Sequence, residues 1–295
     1  MKAAAPPSPA RWRSALFVPA DADALLEKAH ARGADALVLD LEDGVAAAAK
    51  AQARERLQAQ LARLKERGAT VLVRINAPPD EMTLDLAAAV AEGVSAIVVP
   101  KVRAPADIDR VAEAMRRAEI ARGLPPEGLP IVALIEDVFG LARLDEIAAS
   151  SPRLCAMALG GEDFSASIGI EPGIEALTRP CQDLVYACAR YGLQPLGFPG
   201  SIANYRDLEL LRSQLALARK LGLDGAFCIH PNQVALLNEA FSPTPQQLRE
   251  AARVIEAYLD GMAQGRGAVG VGGQMIDRPV FERAQALLAR HQQHP

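Results

Sequence analysis

Glu136, in the frame LIEDVFGL, and Asp163, in LGGEDF, each follow an apolar run of strand length and stand about one β/α unit apart. Two carboxylates offered from successive strand ends are enough to hold a hard divalent cation such as Mg²⁺, which takes oxygen ligands and keeps positions open for water or substrate. The competing reading is local, because acids just beyond a strand also favour the N-terminus of the next helix. Other polar residues end apolar runs in the same way: Asp40, Glu42 and Asp43, Arg74 and Asn76, Lys101, Glu162, and His230. Gathering so many charges at one rim is costly unless they pair or bind something. Arg74 offers a planar fork suited to a substrate carboxylate. For the others the alternatives are helix capping by Asp40 and Asp43, a Lys101–Glu42 pair, and a turn role for His230 ahead of Pro231.

The elements that must position these residues are legible in the apolar pattern. Runs beginning at Ser14, Ala36, Thr70, Ala96, Pro130, Leu154, Leu193 and Gly225 read as strands, and segments of helical period separate them. Such alternation implies a parallel sheet covered by helices, and eight units is the number at which that sheet closes into a (β/α)₈ TIM barrel. An open doubly wound sheet would carry a glycine-rich turn after its first strand, and FVPADAD stands there instead. In a barrel, the C-terminal ends of the strands are the active face. The sequence therefore predicts a loose tail over residues 1–13, a barrel over 14–243, and a C-terminal helical arm or lid over 244–295. In that arm the glycine-rich stretch GRGAVGVGGQMID reads as a flexible joint between two helices.

Composition narrows the function. The net charge of −4 and the 4% of aromatic residues argue against nucleic acid and anionic membrane surfaces. No apolar run approaches the roughly 20 residues of a membrane span, and MKAAAPPSPARWRS lacks a secretory apolar core. The cysteines, Cys155, Cys181, Cys188 and Cys228, have no CxxC spacing and read as buried free thiols. The expectation is a soluble, cytoplasmic enzyme.

Eight ordered motifs then carry a resemblance: LFVPA at Leu16, LDLEDGV at Leu39, VRIN at Val73, VVPKV at Val98, LIE at Leu134, GGEDF at Gly160, CIHPNQ at Cys228 and GQMIDRP at Gly273. Through them the chain resembles the CitE-like branch of the HpcH/HpaI aldolase and citrate lyase β-subunit family, from Arg11 to Ala289. The resemblance implies a Mg²⁺-dependent carbon–carbon lyase acting on malyl-CoA, citramalyl-CoA or citryl thioesters, in a homotrimer or a hexamer. It implies Glu136 and Asp163 as metal ligands and Arg74 as the carboxylate clamp. It also implies Asp277 as a catalytic acid/base carried by the arm to a neighbouring subunit's site. Lys28 is similar to a CoA-contacting lysine, and Phe17, Phe227 and Cys228 fall where the adenine end of CoA lies in relatives. Two departures stand out: Asp137 where relatives have Ser or Thr, placing a further negative charge near the metal, and Gly197 where many have an aspartate. Other readings are a citrate lyase β-subunit with a carrier-bound substrate, a pyruvate class II aldolase, and a non-catalytic barrel subunit.

Overall fold

A computed structural model describes residues 11–292. The first of its two compact units ends at Phe241 and the second begins at Ser242.

The first unit is a (β/α)₈ barrel. Its strands are β1 (Ser14–Pro19), β2 (Ala36–Asp40), β3 (Val71–Arg74), β4 (Val94–Val99), β5 (Ile131–Ile135), β6 (Leu154–Leu159), β7 (Gln194–Leu196) and β8 (Ala226–Cys228). Between and after them run α1 (Asp23–Ala29), α2 (Lys50–Glu66), α3 (Pro79–Ala89), α4 (Pro105–Ala121), α5 (Val138–Leu141), α6 (Leu144–Ala148), α7 (Gly161–Ser167), α8 (Ile174–Tyr191), α9 (Leu208–Leu221) and α10 (Pro231–Phe241). All strand pairs of the barrel are parallel, and β8 returns to lie beside β1. Both strand faces are covered, as parallel strands require. One core cluster, with Leu39, Ile97 and Ile135, packs strands against helices. A second, with Ala36, Val38, Leu72, Ala96, Val98, Val132, Leu134 and Ala156, fills the lumen.

Because side chains alternate faces with period two, the lumen parity fixes what reaches the mouth. Phe17 follows Ala15, Asp40 follows Ala36 and Val38, Arg74 follows Leu72, Glu136 follows Val132 and Leu134, and Gly160 follows Ala156 and Ala158. Lys101 breaks this parity, since the lumen positions of β4 are Ala96 and Val98.

The seam between β7 and β8 is closed by two backbone bonds, Gly197 N to Gly225 O (2.9 Å) and Asp224 N to Pro195 O (3.0 Å). Buried Gln194 reinforces it at the floor. Its amide donates to Trp12 O (3.0 Å) and Asp224 O (3.1 Å), and its Oε1 accepts from Trp12 N (3.2 Å). Residues 1–10 of the expected loose tail lie outside the described residues. Residues 11–13 correct that expectation: Trp12 is buried under the lumen, Arg11 pairs with Asp224 (2.6 Å), and Arg13 pairs with Asp35 (2.7 Å).

The second unit holds α11 (Pro245–Ala263), β9 (Val269–Val271), β10 (Gln274–Ile276) and α12 (Arg278–Gln292). Thr244 opens α11 with a capping box, its hydroxyl accepting from Gln247 N while Gln247 Oε1 accepts from Thr244 N. The glycine-rich stretch, expected as a flexible joint, forms an antiparallel hairpin pairing Val271 with Gln274 and Val269 with Ile276. Its two-residue loop needs positive φ at both positions, and Gly272 (58°) and Gly273 (80°) provide it. Val254, Val269, Ile276 and Ala284 make this unit's core, with Tyr258 stacked on Phe281 at 4.5 Å. Among the described residues, no helix is long and apolar enough to cross a membrane.

Gln194→Ala leaves Trp12 N, Trp12 O and Asp224 O without this partner. The expected loss of stability is about 2–4 kcal/mol, read from urea denaturation; a change within roughly 0.5 kcal/mol would show that the seam does not depend on Gln194.

Candidate active site

The mouth of the barrel holds a cavity of about 400 Å³ lined by residues from seven strand ends. Its polar lining is Asp40, Asp43, Arg74, Glu136, Glu162 and Asp163, and its apolar lining includes Phe17, Leu134, Leu159, Phe198, Ile202, Phe227 and Ile229.

Arg74 organises the polar lining. Its Nε and Nη2 donate to Asp40 Oδ1 and Oδ2, each at 2.7 Å, a side-on bidentate pair. Its guanidinium lies 4.6 Å from the centre of the Phe17 ring, which stacks on Phe227 at 5.0 Å. Burial alone would weaken the charge, but the hydrogen bonds and charge of Asp40, together with Glu42, hold the Arg74 pKa above the ordinary guanidinium value. Asp40 also shapes its own loop, Oδ1 accepting from Glu42 N (2.9 Å) and Oδ2 from Gly44 N (2.8 Å). Asp40 therefore pairs with Arg74 and braces its own loop, and it does not cap the next helix, which starts beyond Ala46.

Glu42 bridges two cations. Oε1 accepts from Lys101 Nζ at 2.7 Å, and Oε2 stands 3.0 Å from Arg74 Nη1. The second contact is an ion pair without hydrogen-bond direction, so Oε2 is a buried oxygen with no donor. Burial pushes the Glu42 carboxyl above its ordinary pKa, against the pull of Arg74 and Lys101.

Glu136 is buried, and Oε2 accepts from Lys101 N at 2.7 Å. Gly160 makes room for it, since a Cβ there would stand 2.5 Å from Glu136 Cγ and 3.0 Å from Oε1. Burial, with the negative charges of Glu42 and Asp163, pushes the Glu136 carboxyl up to about 7. Asp163, in the first turn of α7, is exposed on the cavity side of that site.

The donor set fits Mg²⁺: two carboxylates, with the charge of Asp163 adding to the cost of ionising Glu136, oxygen ligands only, and open space beside them. No group of three or more acids, histidines or cysteines arranged to hold a metal exists among the described residues. A cation here would therefore need water and substrate oxygens to complete its shell.

Other expected site residues lie elsewhere. Asn76 is buried behind β3, its N and Nδ2 donating to Asp85 Oδ2 (2.6 and 2.7 Å), while Asp85 pairs with Arg54. Burial of an acid at position 85 is invisible in the helical pattern of α3. His230 stacks on Tyr205 at 4.6 Å, and its Nδ1 accepts from Asn232 N. Lys28 is exposed on α1 and does not line the cavity, and Cys228 is buried with its thiol on Ala15 O. Glu162 lines the cavity but accepts from Ser201 Oγ and Ala203 N, tying down the loop after β7. In the second unit Asp277 precedes α12, where Oδ1 accepts from Val280 N (3.3 Å).

Both departures acquire local reasons. Asp137, expected to add charge near the metal, turns away: it caps α5 by accepting from Phe139 N (3.0 Å) and Gly140 N (2.9 Å), and pairs with Arg103. Gly197 has φ 133°, a conformation a side chain would strain, and its N–H closes the β7–β8 seam.

With metal absent, the raised Glu136 pKa makes the folded protein bind a proton that the unfolded chain releases between pH 4.5 and about 7. Stability from this group is present below pH 4.5 and is lost as pH rises through 7, up to about 3 kcal/mol. Denaturation of metal-free wild type and Glu136→Gln from pH 5 to 8 should diverge in favour of the variant as pH rises; parallel curves would contradict the buried carboxyl.

A family model described as HpcH/HpaI aldolase/citrate lyase matches residues 13–231. The citrate lyase subunit beta of Haemophilus influenzae is 33% identical over 282 residues, covering 94% of this chain and 96% of its own. The L-malyl-CoA/beta-methylmalyl-CoA lyase of Cereibacter sphaeroides is 33% identical over 307 residues, covering 96% of each. Among solved structures, CitE from Mycobacterium tuberculosis in complex with magnesium, acetoacetate and coenzyme A superposes with a TM-score of 0.73 at 28% identity, over 97% of this chain and 99% of that one.

Proposed function

Because this chain belongs to the HpcH/HpaI aldolase/citrate lyase family, we propose that it is a Mg²⁺-dependent carbon–carbon lyase. It cleaves or forms 3-hydroxyacyl-CoA thioesters of malyl-CoA, citramalyl-CoA or citryl type, giving acetyl-CoA and a 2-keto acid. One observation carries this reading: Glu136, Asp163 and Arg74 meet in a single cavity that is also lined by aromatic and aliphatic side chains.

Glu136 and Asp163 would hold Mg²⁺, which supplies Lewis acidity to the substrate's 3-hydroxyl and adjacent carboxylate oxygens. Arg74 binds the carboxylate and orients the C2–C3 bond. Two of its five N–H groups are given to Asp40, so donors remain for substrate. Its orientation is fixed in advance by Asp40 below and Phe17 beside it. The apolar wall of Phe17, Phe198 and Phe227 excludes water from the enolate released as C2–C3 breaks. Asp277 donates the proton to the enolate carbon, or removes it in the condensation direction. In this reading the chains form a homotrimer or hexamer, and Asp277 serves the site of a neighbouring copy. Its support is the family resemblance of QMID and the place of Asp277 between a hairpin and a helix. Lys28 would contact the CoA portion. The barrel spans 14–243 and the arm 244–295.

Similarity to a citrate lyase subunit beta supports a second reading, the same reaction on a citryl thioester that we take to be carried by a protein. The purified chain with Mg²⁺ and a panel of free CoA thioesters separates the two: keto acid from malyl-CoA or citramalyl-CoA supports the free-thioester enzyme, and cleavage only of carrier-bound substrate replaces it. Glu136→Ala and Asp163→Ala should each lower Mg²⁺-dependent turnover by on the order of a thousandfold with the fold intact by circular dichroism; full activity in both would remove the metal assignment.

A shared site is checked by mixing Asp277→Ala with Arg74→Ala subunits, each inactive alone. Random assembly gives about one site in four both groups, so part of the activity returns; none in verified mixed oligomers would place Asp277 outside its neighbour's chemistry.

A further inference from the structure

We infer that Lys101 is a positioning residue of this site, its left-handed backbone aiming the metal-facing carboxylate of Glu136 while its ammonium ties Glu42 beside Arg74. The inference rests on the magnesium reading above. Outside glycine, only Lys101 (φ 54°) and Glu127 have positive φ among the described residues. Such strain persists where the surroundings over-determine it, and here they do. Pro100 brings no N–H to the β4–β5 ladder, which resumes one residue past Lys101 with Val102 N donating to Leu134 O at 3.1 Å. Gly140 of α5 packs so closely on Val102 O that a Cβ would overlap it, and Arg103 pairs with Asp137. Lys101 is the bulged residue between these anchors.

The bulge turns its amide to Glu136 Oε2 at 2.7 Å, occupying the oxygen on the β4 side. Oε1 is left toward Gly160, on the β6 side from which Asp163 projects. Oε1, with no hydrogen bond from Lys101, is therefore the oxygen of Glu136 more open to a cation. The ammonium then reaches Glu42 Oε1 at 2.7 Å, so Lys101, two residues past β4, contacts both the acid beyond β2 that pairs with Arg74 and the acid beyond β5. Glycine would adopt this backbone without strain, but only a long cation supplies the second contact. A solvent-facing ion pair would explain the ammonium alone; it would not explain the left-handed backbone or the amide on Glu136.

Lys101→Gly keeps the left-handed backbone and loses the ammonium, whereas Lys101→Val loses the ammonium and disfavours that backbone. Mg²⁺ binding, measured by calorimetry with Mn²⁺ electron paramagnetic resonance as a second probe, should stay within about threefold of wild type in Lys101→Gly and weaken by about 10–100-fold in Lys101→Val. With saturating Mg²⁺, kcat/KM should fall about tenfold in Lys101→Gly and recover in part in Lys101→Arg. If Lys101→Val does not fold, Lys101→Ala replaces it and should bind Mg²⁺ less well than Lys101→Gly. Wild-type Mg²⁺ affinity in the non-glycine variant, or wild-type turnover in Lys101→Gly, overturns the positioning role. Unchanged Mg²⁺ affinity in Glu136→Gln would instead overturn the metal assignment, and this inference with it.

Discussion

Glu136 is buried next to the charges of Glu42 and Asp163, and its carboxyl is held near pH 7 because ionising it there is costly. Much of the barrel mouth can be understood as an answer to that cost. Lys101 contributes a backbone N–H to one oxygen, Arg74 adds a positive charge from β3, and Gly160 removes the side chain that would occupy the space. None of these neutralises both carboxylates of the Glu136–Asp163 pair. A divalent cation does so with one ion, which is why an acidic pair left under-compensated in the metal-free protein suits a site completed by metal and substrate.

The same economy governs the arginine. Arg74, proposed as the carboxylate clamp, is kept from swinging by two parallel hydrogen bonds to Asp40, while Phe17 supports its flat face. Asp40 in turn is fixed by the backbone of its own turn, through Glu42 N and Gly44 N. A chain of hydrogen bonds thus runs from loop backbone to guanidinium. Aromatic and aliphatic groups line the same cavity, so apolar surface that excludes water stands beside the charged groups. This arrangement matches a reaction in which one fragment leaves as a carbanion equivalent.

At the barrel floor, Arg153 and Glu119 are both buried and paired at 2.7 Å. Glu119 accepts further from Glu127 N and Leu129 N, and Arg153 donates to Leu129 O, so every member has partners. This fully partnered pair lies at the end of the barrel opposite the cavity, the end at which barrels carry stability rather than function.

The eight apolar runs and the helical segments between them were enough to specify the barrel, because the periods of strand and helix are local properties of the chain. The strand-end positions of Glu136, Asp163 and Arg74 were legible for the same reason, and the ordered motifs carried the family. The sequence alone could not assign direction to polar residues beyond the strands. Asn76 turns outward because Asp85, on a helix, waits there; Asp137 turns to its own helix start because Arg103 is opposite; and Lys101 takes a lumen-facing role only through a bulge. The hairpin in the C-terminal unit was hidden by its glycine content, which suits a tight turn as well as a flexible joint. Partners distant in sequence decide these cases, and a side chain's direction past a strand end depends on which of them tertiary packing brings within hydrogen-bond reach.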